Sequence, residues 1–269
     1  MHAHPSSRFL FNTPDIELWP AALLRARSNR DARVLSLATQ VLRRKRDGAY
    51  LAAVLPDGIV GLMPRWQREA GIDDALDLLD AGALRAPRAP APDLPVSQVE
   101  ARLEALGLDA DAYAARTGLA LVAEPAWLTF AGVDRYRRPL WLEARTARAW
   151  QGLHAAAARD GVTLDAVSGY RSHDYQLGIF DRKRARGLSL DAILAVNAAP
   201  GYSEHHSGCA LDISAPGEPP ADDSFDATAA FAWLTRHAPG HGFTLSYPRD
   251  NPHGIVYEPW HWRYRSAID

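Results

Sequence analysis

The sequence is short of the features that fix a fold or a partner on their own. It has one cysteine, Cys209, in 269 residues. No intramolecular disulfide can form, so stability must come from a packed core, and the scarcity agrees with a reducing compartment. It has no basic excess: 30 Lys and Arg against 32 Asp and Glu leave a net charge of −2 at pH 7. A nucleic-acid or anionic-membrane surface needs such an excess or a basic stripe, so neither partner is expected. No apolar run approaches the roughly 18 residues of a membrane-spanning helix. Phe9-Leu10-Phe11 is too short for the apolar region of a secretory signal. The sequence as it stands predicts a cytoplasmic location, or a periplasmic one if its start is truncated or mis-assigned. Short charged runs such as Arg182-Lys183-Arg184 read as solvated helix faces.

What is present is an ordinary core-forming composition, 47% hydrophobic, in a length that suits one large domain or one domain plus a smaller one. The clearest boundary has four prolines in the ten residues 86–95, a semi-rigid extended linker. It separates an N-terminal accessory region, 1–85, from a larger domain, 97–269, with 86–96 between them. In the first region, 32–42 has helical apolar spacing, and 50–55 and 59–63 flank Pro56-Asp57-Gly58 as a hairpin. Residues 73–80 read as a helix ending at Gly82.

Past the linker, Ser97 and Glu100 form a capping-box pattern ahead of Val99, Leu103 and Leu106. Helices are expected at 143–160, at 173–186 after an N-cap at Ser172, at 190–196 and at 228–237. Strands are expected at 119–122, 127–130, 164–167, 210–214, 243–247 and 255–257. This irregular order indicates an α+β fold: a small mixed or antiparallel sheet with flanking helices around a cleft, plus the smaller N-terminal region.

Two runs carry chemistry. The first is Ser203-Glu204-His205-His206-Ser207-Gly208-Cys209-Ala210-Leu211-Asp212, and the second is Tyr257-Glu258-Pro259-Trp260-His261-Trp262-Arg263-Tyr264. Imidazole and carboxylate together are the ligand set of hydrolytic zinc sites, in which three protein groups leave a fourth position to water. His205, Asp212 and His261 are candidate ligands, with Glu258 acting on the water. Gly208 rules out a helix through the first run, which puts His205 in a turn and Asp212 inside a strand. On strand parity, Leu211 and Ile213 then face the core and Asp212 the cleft. Glu258 and His261 reach one site only if the chain bends through Pro259-Trp260, where Trp260 and Trp262 could wall the cleft. Composition alone leaves open the choice between His205 and His206. It equally allows buried histidines that are simply hydrogen-bonded to carboxylates.

These runs, with Ser168-Gly169-Tyr170-Arg171-Ser172, Pro200-Gly201-Tyr202, Trp233-Leu234, Gly242-Phe243 and Tyr247-Pro248, resemble the VanY-type D-alanyl-D-alanine carboxypeptidases. Those zinc peptidases are related to the D-Ala-D-Ala dipeptidases and the hedgehog fold. The resemblance spans about residues 119–264 and implies Zn2+ held by His205, Asp212 and His261, with Glu258 as catalytic base. It also implies that Arg171 binds the terminal carboxylate of the substrate and that Gln176 and Ser203 line the substrate site. His206-Ser207 stands where the family usually has Gln-Thr, and Cys209 where a larger aliphatic is common. The implied activity is removal of a C-terminal D-alanine from a peptidoglycan stem peptide or muropeptide by D,D- or L,D-cleavage. The alternatives are a related zinc endopeptidase or dipeptidase of cell-wall peptides and a non-catalytic zinc-stabilised binding module.

Overall fold

A computed structural model describes residues 8–82 and 90–265 of the chain. It divides into two compact units, Met1–Leu94 with Pro125–Phe130, and Pro95–Glu124 with Ala131–Asp269. Of the proline-rich stretch, 86–89 lies outside the described residues. In its described part, the Ala126 N–H donates to Pro92 O at 2.8 Å and Asp93 bridges to Pro125, all within the first unit.

The first unit is an antiparallel sheet built from β1 (Phe9–Asn12), β2 (Ile16–Pro20), β3 (Gln40–Arg44), β4 (Tyr50–Leu55) and β5 (Gly58–Gly61). Its order is β5-β4-β3-β2-β1, and the Trp127–Phe130 part of β6 (Trp127–Val133) lies beside β1. The helix α1 (Asn29–Leu35) starts at Ser28, whose side chain accepts from the Asp31 N–H. The helix α2 (Ile72–Asp80) packs Ile72 and Ala75 on Phe11, Ile16, Leu18, Leu42 and Leu51. The hairpin and α2 fall where the sequence puts them. The helical spacing of 32–42 does not hold past Leu35: Val41 and Leu42 lie in β3, paired on both sides and fully buried. A central strand buried on both faces loses the period-two signature that would have separated it from a helix.

The second unit carries α3 (Val99–Ala105), α4 (Ala110–Thr117), β7 (Pro139–Leu142), α5 (Ala144–Arg159), β8 (Asp165–Ser168) and α6 (His173–Ala185). There follow α7 (Leu190–Leu194), β9 (Ala210–Ser214), α8 (Ala229–His237), β10 (Phe243–Leu245) and β11 (His261–Tyr264). A four-stranded antiparallel sheet runs β10-β11-β9-β8. Leu211, Ile213, Phe243 and Trp262 pack against Ala147, Trp150, Leu153 and Ala157 of α5 and Trp233 and Leu234 of α8. Each large apolar side chain buried there contributes about 1.5–3 kcal/mol, which fixes the register of β9. A second cluster joins Val99, Leu103, Tyr113, Phe180 and Ile193 to Tyr202 and Tyr247.

The α+β class and most elements agree with the sequence reading, with four local corrections. The helix α3 begins after Gln98, without a side-chain cap, so the Ser97–Glu100 box does not form. Residues 119–122 form no strand; Val122 makes a single backbone bond, to Gly201 O at 2.8 Å. Residues 255–257 form no strand either, because the Ile255 carbonyl accepts from Asn251 Nδ2 and the Val256 N–H donates to Ala195 O. Trp262 lies in the core instead of walling the cleft, and its Nε1–H donates to Pro259 O at 3.0 Å. Among the described residues, no helix is long and apolar enough to cross a membrane.

Candidate functional site

The site grows from the pairing of β9 with β11. Asp212 stands directly opposite His261, while Leu211 opposite Trp262 faces the core, so strand parity sends the Asp212 and His261 side chains to the other face. Ahead of β11 the chain turns: the Glu258 N–H donates to Tyr247 O at 3.0 Å and the His261 N–H to Glu258 O at 3.1 Å. This is the bend that Pro259-Trp260 requires, and it leaves Glu258 Oε2 3.7 Å from His261 Nδ1.

His205 arrives from a single 3-10 turn, Glu204–Ser207, closed by Gly208 at φ 70°, a left-handed conformation that glycine adopts without strain. Its Nδ1–H donates to Gly169 O at 2.7 Å. A Cβ on Gly169 would lie 2.8 Å from Leu140 Cδ1 and 2.9 Å from Trp141 O, so only glycine lets that carbonyl come so close. The bond fixes the tautomer and leaves Nε2, fully buried and without a hydrogen bond, 3.3 Å from Asp212 Oδ1.

The neighbouring His206 has no such free atom. Its Nδ1–H donates to Arg171 O at 2.7 Å, and its Nε2 accepts from the Gly201 N–H at 3.1 Å. The hydrogen bonds of the two rings thus separate histidines that composition could not. His205, Asp212 and His261 each offer one donor atom, all within 4.8 Å of one another. Two imidazole nitrogens and a carboxylate oxygen, with an orphaned buried lone pair on His205, fit a zinc ion.

Glu204 is the residue that sequence reasoning missed. Its Oε2 accepts from His261 Nε2–H at 2.9 Å and its Oε1 from Arg263 at 2.7 Å. It therefore orients the ring that presents Nδ1 to Asp212, 3.2 Å away. Its adjacency to His205 gave no signal, because its partners lie on β11.

The electrostatics follow from burial and these partners. Burial disfavours a charge on His261, but its bonds to Asp212 and Glu204 outweigh this and raise its pKa to about 10. Burial, then Arg171, lowers that of His205 to about 4. Burial, with Asp212 nearby, pushes the Glu258 carboxyl up to about 7 against the pull of His261 and Arg171. A histidine ligates only when its coordinating nitrogen is deprotonated, so a dication must displace the Nδ1 proton of His261. Metal affinity is therefore expected to rise from pH 6 to pH 8, as competition against a chelator measures. A flat profile would show that His261 does not ligate.

A cleft of about 250 Å³ opens over these groups, lined also by Arg171, Gln176, Ser203, Lys183, Tyr247 and Trp260. Ser172 caps α6 through the Tyr175 N–H at 3.1 Å, which sets Arg171 just ahead of the helix. Arg171 Nη1 lies 3.8 Å from Asp212 Oδ2, and its Nε is buried and unpaired. Gln176 donates through Nε2 to Ala198 O at 2.9 Å, while its Oε1 is buried and unpaired. All seven residues singled out from the sequence, the three donors with Glu258, Arg171, Gln176 and Ser203, line this one cleft. Cys209 is partly buried, its thiol pKa raised by burial, and stands outside the donor group.

The sequence profile of the family described as VanY, D-alanyl-D-alanine carboxypeptidase, matches residues 139–267. VanXYC of Enterococcus gallinarum, a bifunctional D-Ala-D-Ala dipeptidase and carboxypeptidase, is 30% identical over 131 residues, 46% of this chain and 67% of that protein. YodJ of Bacillus subtilis is 39% identical over 128 residues, 46% of each chain. A D-alanyl-D-alanine carboxypeptidase of Enterococcus faecalis is 34% identical over 133 residues, 46% of this chain and 48% of its own. The chain thus belongs to the VanY-type family, and it spans about half the length of the latter two relatives.

Proposed function

We propose that the chain is a zinc metallocarboxypeptidase that removes a C-terminal D-alanine from peptidoglycan stem peptides. The observation that carries this reading is one cleft holding a buried His205–Asp212–His261 donor set, a carboxyl poised near neutrality and a guanidinium. A zinc ion bound there supplies a water of lowered pKa and a Lewis acid. Glu258 accepts the proton of the attacking water and returns it to the leaving amine. Arg171 takes the free C-terminal carboxylate, which confines cleavage to the last residue. The unpaired Gln176 Oε1 is an acceptor for a substrate N–H, and Ser203 borders the same space. These groups address the terminal residue and its carboxylate, which D,D- and L,D-cleavage share.

Two observations weigh against an endopeptidase and against a non-catalytic module. Arg171 beside the donor set has no use in an endopeptidase, and a structural metal site has no use for a buried base such as Glu258. The first unit reads as accessory. Among its described residues, ion pairs such as Arg43 with Glu17 and Arg44 with Asp47 and Glu69 are internal to it, and no metal-donor group is found. The test is release of D-alanine from peptides with a free C-terminus and from the same peptides amidated. Release from the free acids alone supports the reading; equal cleavage of both indicates an endopeptidase.

Glu204 acts as a positioning residue for His261. Glu204→Gln is expected to weaken zinc binding about 10–100-fold, the usual range for a hydrogen-bond partner of a ligating histidine. Chelator competition reads this directly, and an unchanged affinity would show that Glu204 serves only its ion pair with Arg263.

A further inference from the structure

The run Arg182-Lys183-Arg184 reads in sequence as a solvated helix face, and for Arg182 and Arg184 it is one. Lys183 differs. It stands seven residues after Gln176, two turns along the same face of α6, is only partly exposed and lines the cleft. It makes no ion pair among the described residues. Burial, and then Arg171, lowers its pKa, and Glu258 is the acid whose field supports its charge.

The formal charges in the cleft leave this lysine without a counterpart. A divalent ion on two neutral histidines and Asp212 leaves one positive charge, which Glu258 cancels when ionised. Arg171 is met by the terminal carboxylate of the substrate. Lys183 is then an unmatched cation in a partly desolvated wall, a costly arrangement unless the ligand brings a second anion. The spacing from Gln176 is about 10 Å along the helix axis, and a lysine side chain leans back toward the helix N-terminus. An extended peptide, at about 3.3 Å per residue, that runs from the donor set along this wall would bring one of the two residues ahead of its scissile bond beside Lys183.

We infer that Lys183 selects peptides that carry a second free carboxylate on one of the two residues preceding the one released. This rests on the carboxypeptidase reading and names the substrate class within it.

The test uses zinc-loaded full chain and paired peptides ending in free D-alanine, identical except for a side-chain acid or its carboxamide at either position. The wild type is expected to favour the acid by about tenfold to a hundredfold in kcat/KM and in Kd, as a charge-assisted hydrogen bond does. In Lys183→Met the acid-over-amide ratio is expected to fall to about one, and Lys183→Arg is expected to retain a preference. A wild-type ratio of one at both positions, or a ratio that survives in Lys183→Met, overturns the inference. So does an equal loss on both peptides, which would make Lys183 a general electrostatic influence on the site. If no peptide is cleaved while zinc is bound, the carboxypeptidase reading fails, and the Kd ratios still decide the role of Lys183.

Discussion

Glu258→Gln is expected to lower kcat by about 10²–10⁴-fold, the usual contribution of a positioned general base. Glutamine keeps the shape of the side chain and cannot accept a proton. Glu258 is 8% exposed, and burial pushes its carboxyl pKa up to about 7. A base of that strength is ionised in part at neutral pH and still basic enough to accept the proton of the water. Because Glu258 is not among the three donors, zinc content is expected to remain at wild-type level while turnover falls. Steady-state kinetics with elemental analysis of the same sample checks both. Unchanged turnover with zinc in place would remove Glu258 from the mechanism.

The second large effect separates two adjacent histidines. His205→Ala removes the ring whose Nε2 is the buried, unpaired donor, so the purified protein is expected to lose its zinc and, with it, all measurable peptidase activity. His206→Ala removes a ring with both nitrogens engaged, leaving Arg171 O and the Gly201 N–H without partners. Each unsatisfied buried group costs about 1–3 kcal/mol, so this variant is expected to melt earlier and keep its metal. Metal content by elemental analysis and melting by circular dichroism distinguish the two. Zinc loss in His206→Ala with retention in His205→Ala would reverse the assignment.

Much of this site is legible in the sequence because its rules are local. Gly208 ends the turn that carries His205, the parity of β9 aims Asp212 away from Leu211 and Ile213, and Pro259 forces the bend that brings Glu258 beside His261. Ser172 caps α6 as its residue type predicts. What escapes the sequence depends on partners far along the chain. Glu204 matters because β11 brings His261 and Arg263 to it, and Lys183 because α6 turns one residue of a basic run inward. The same holds for errors in the fold. Val41 and Leu42 read as helix because a strand paired on both sides has no polar face, and 255–257 failed as strand because a side-chain amide and Ala195 satisfy its backbone.

Mass spectrometry of a stem peptide ending in D-alanine, incubated with the zinc-loaded protein as the free acid and as the C-terminal amide, decides whether the cleft houses a carboxypeptidase. The acid is expected to lose a single alanine and the amide to remain unchanged. An intact acid peptide with zinc confirmed bound, or equal cleavage of the two, would contradict the carboxypeptidase reading.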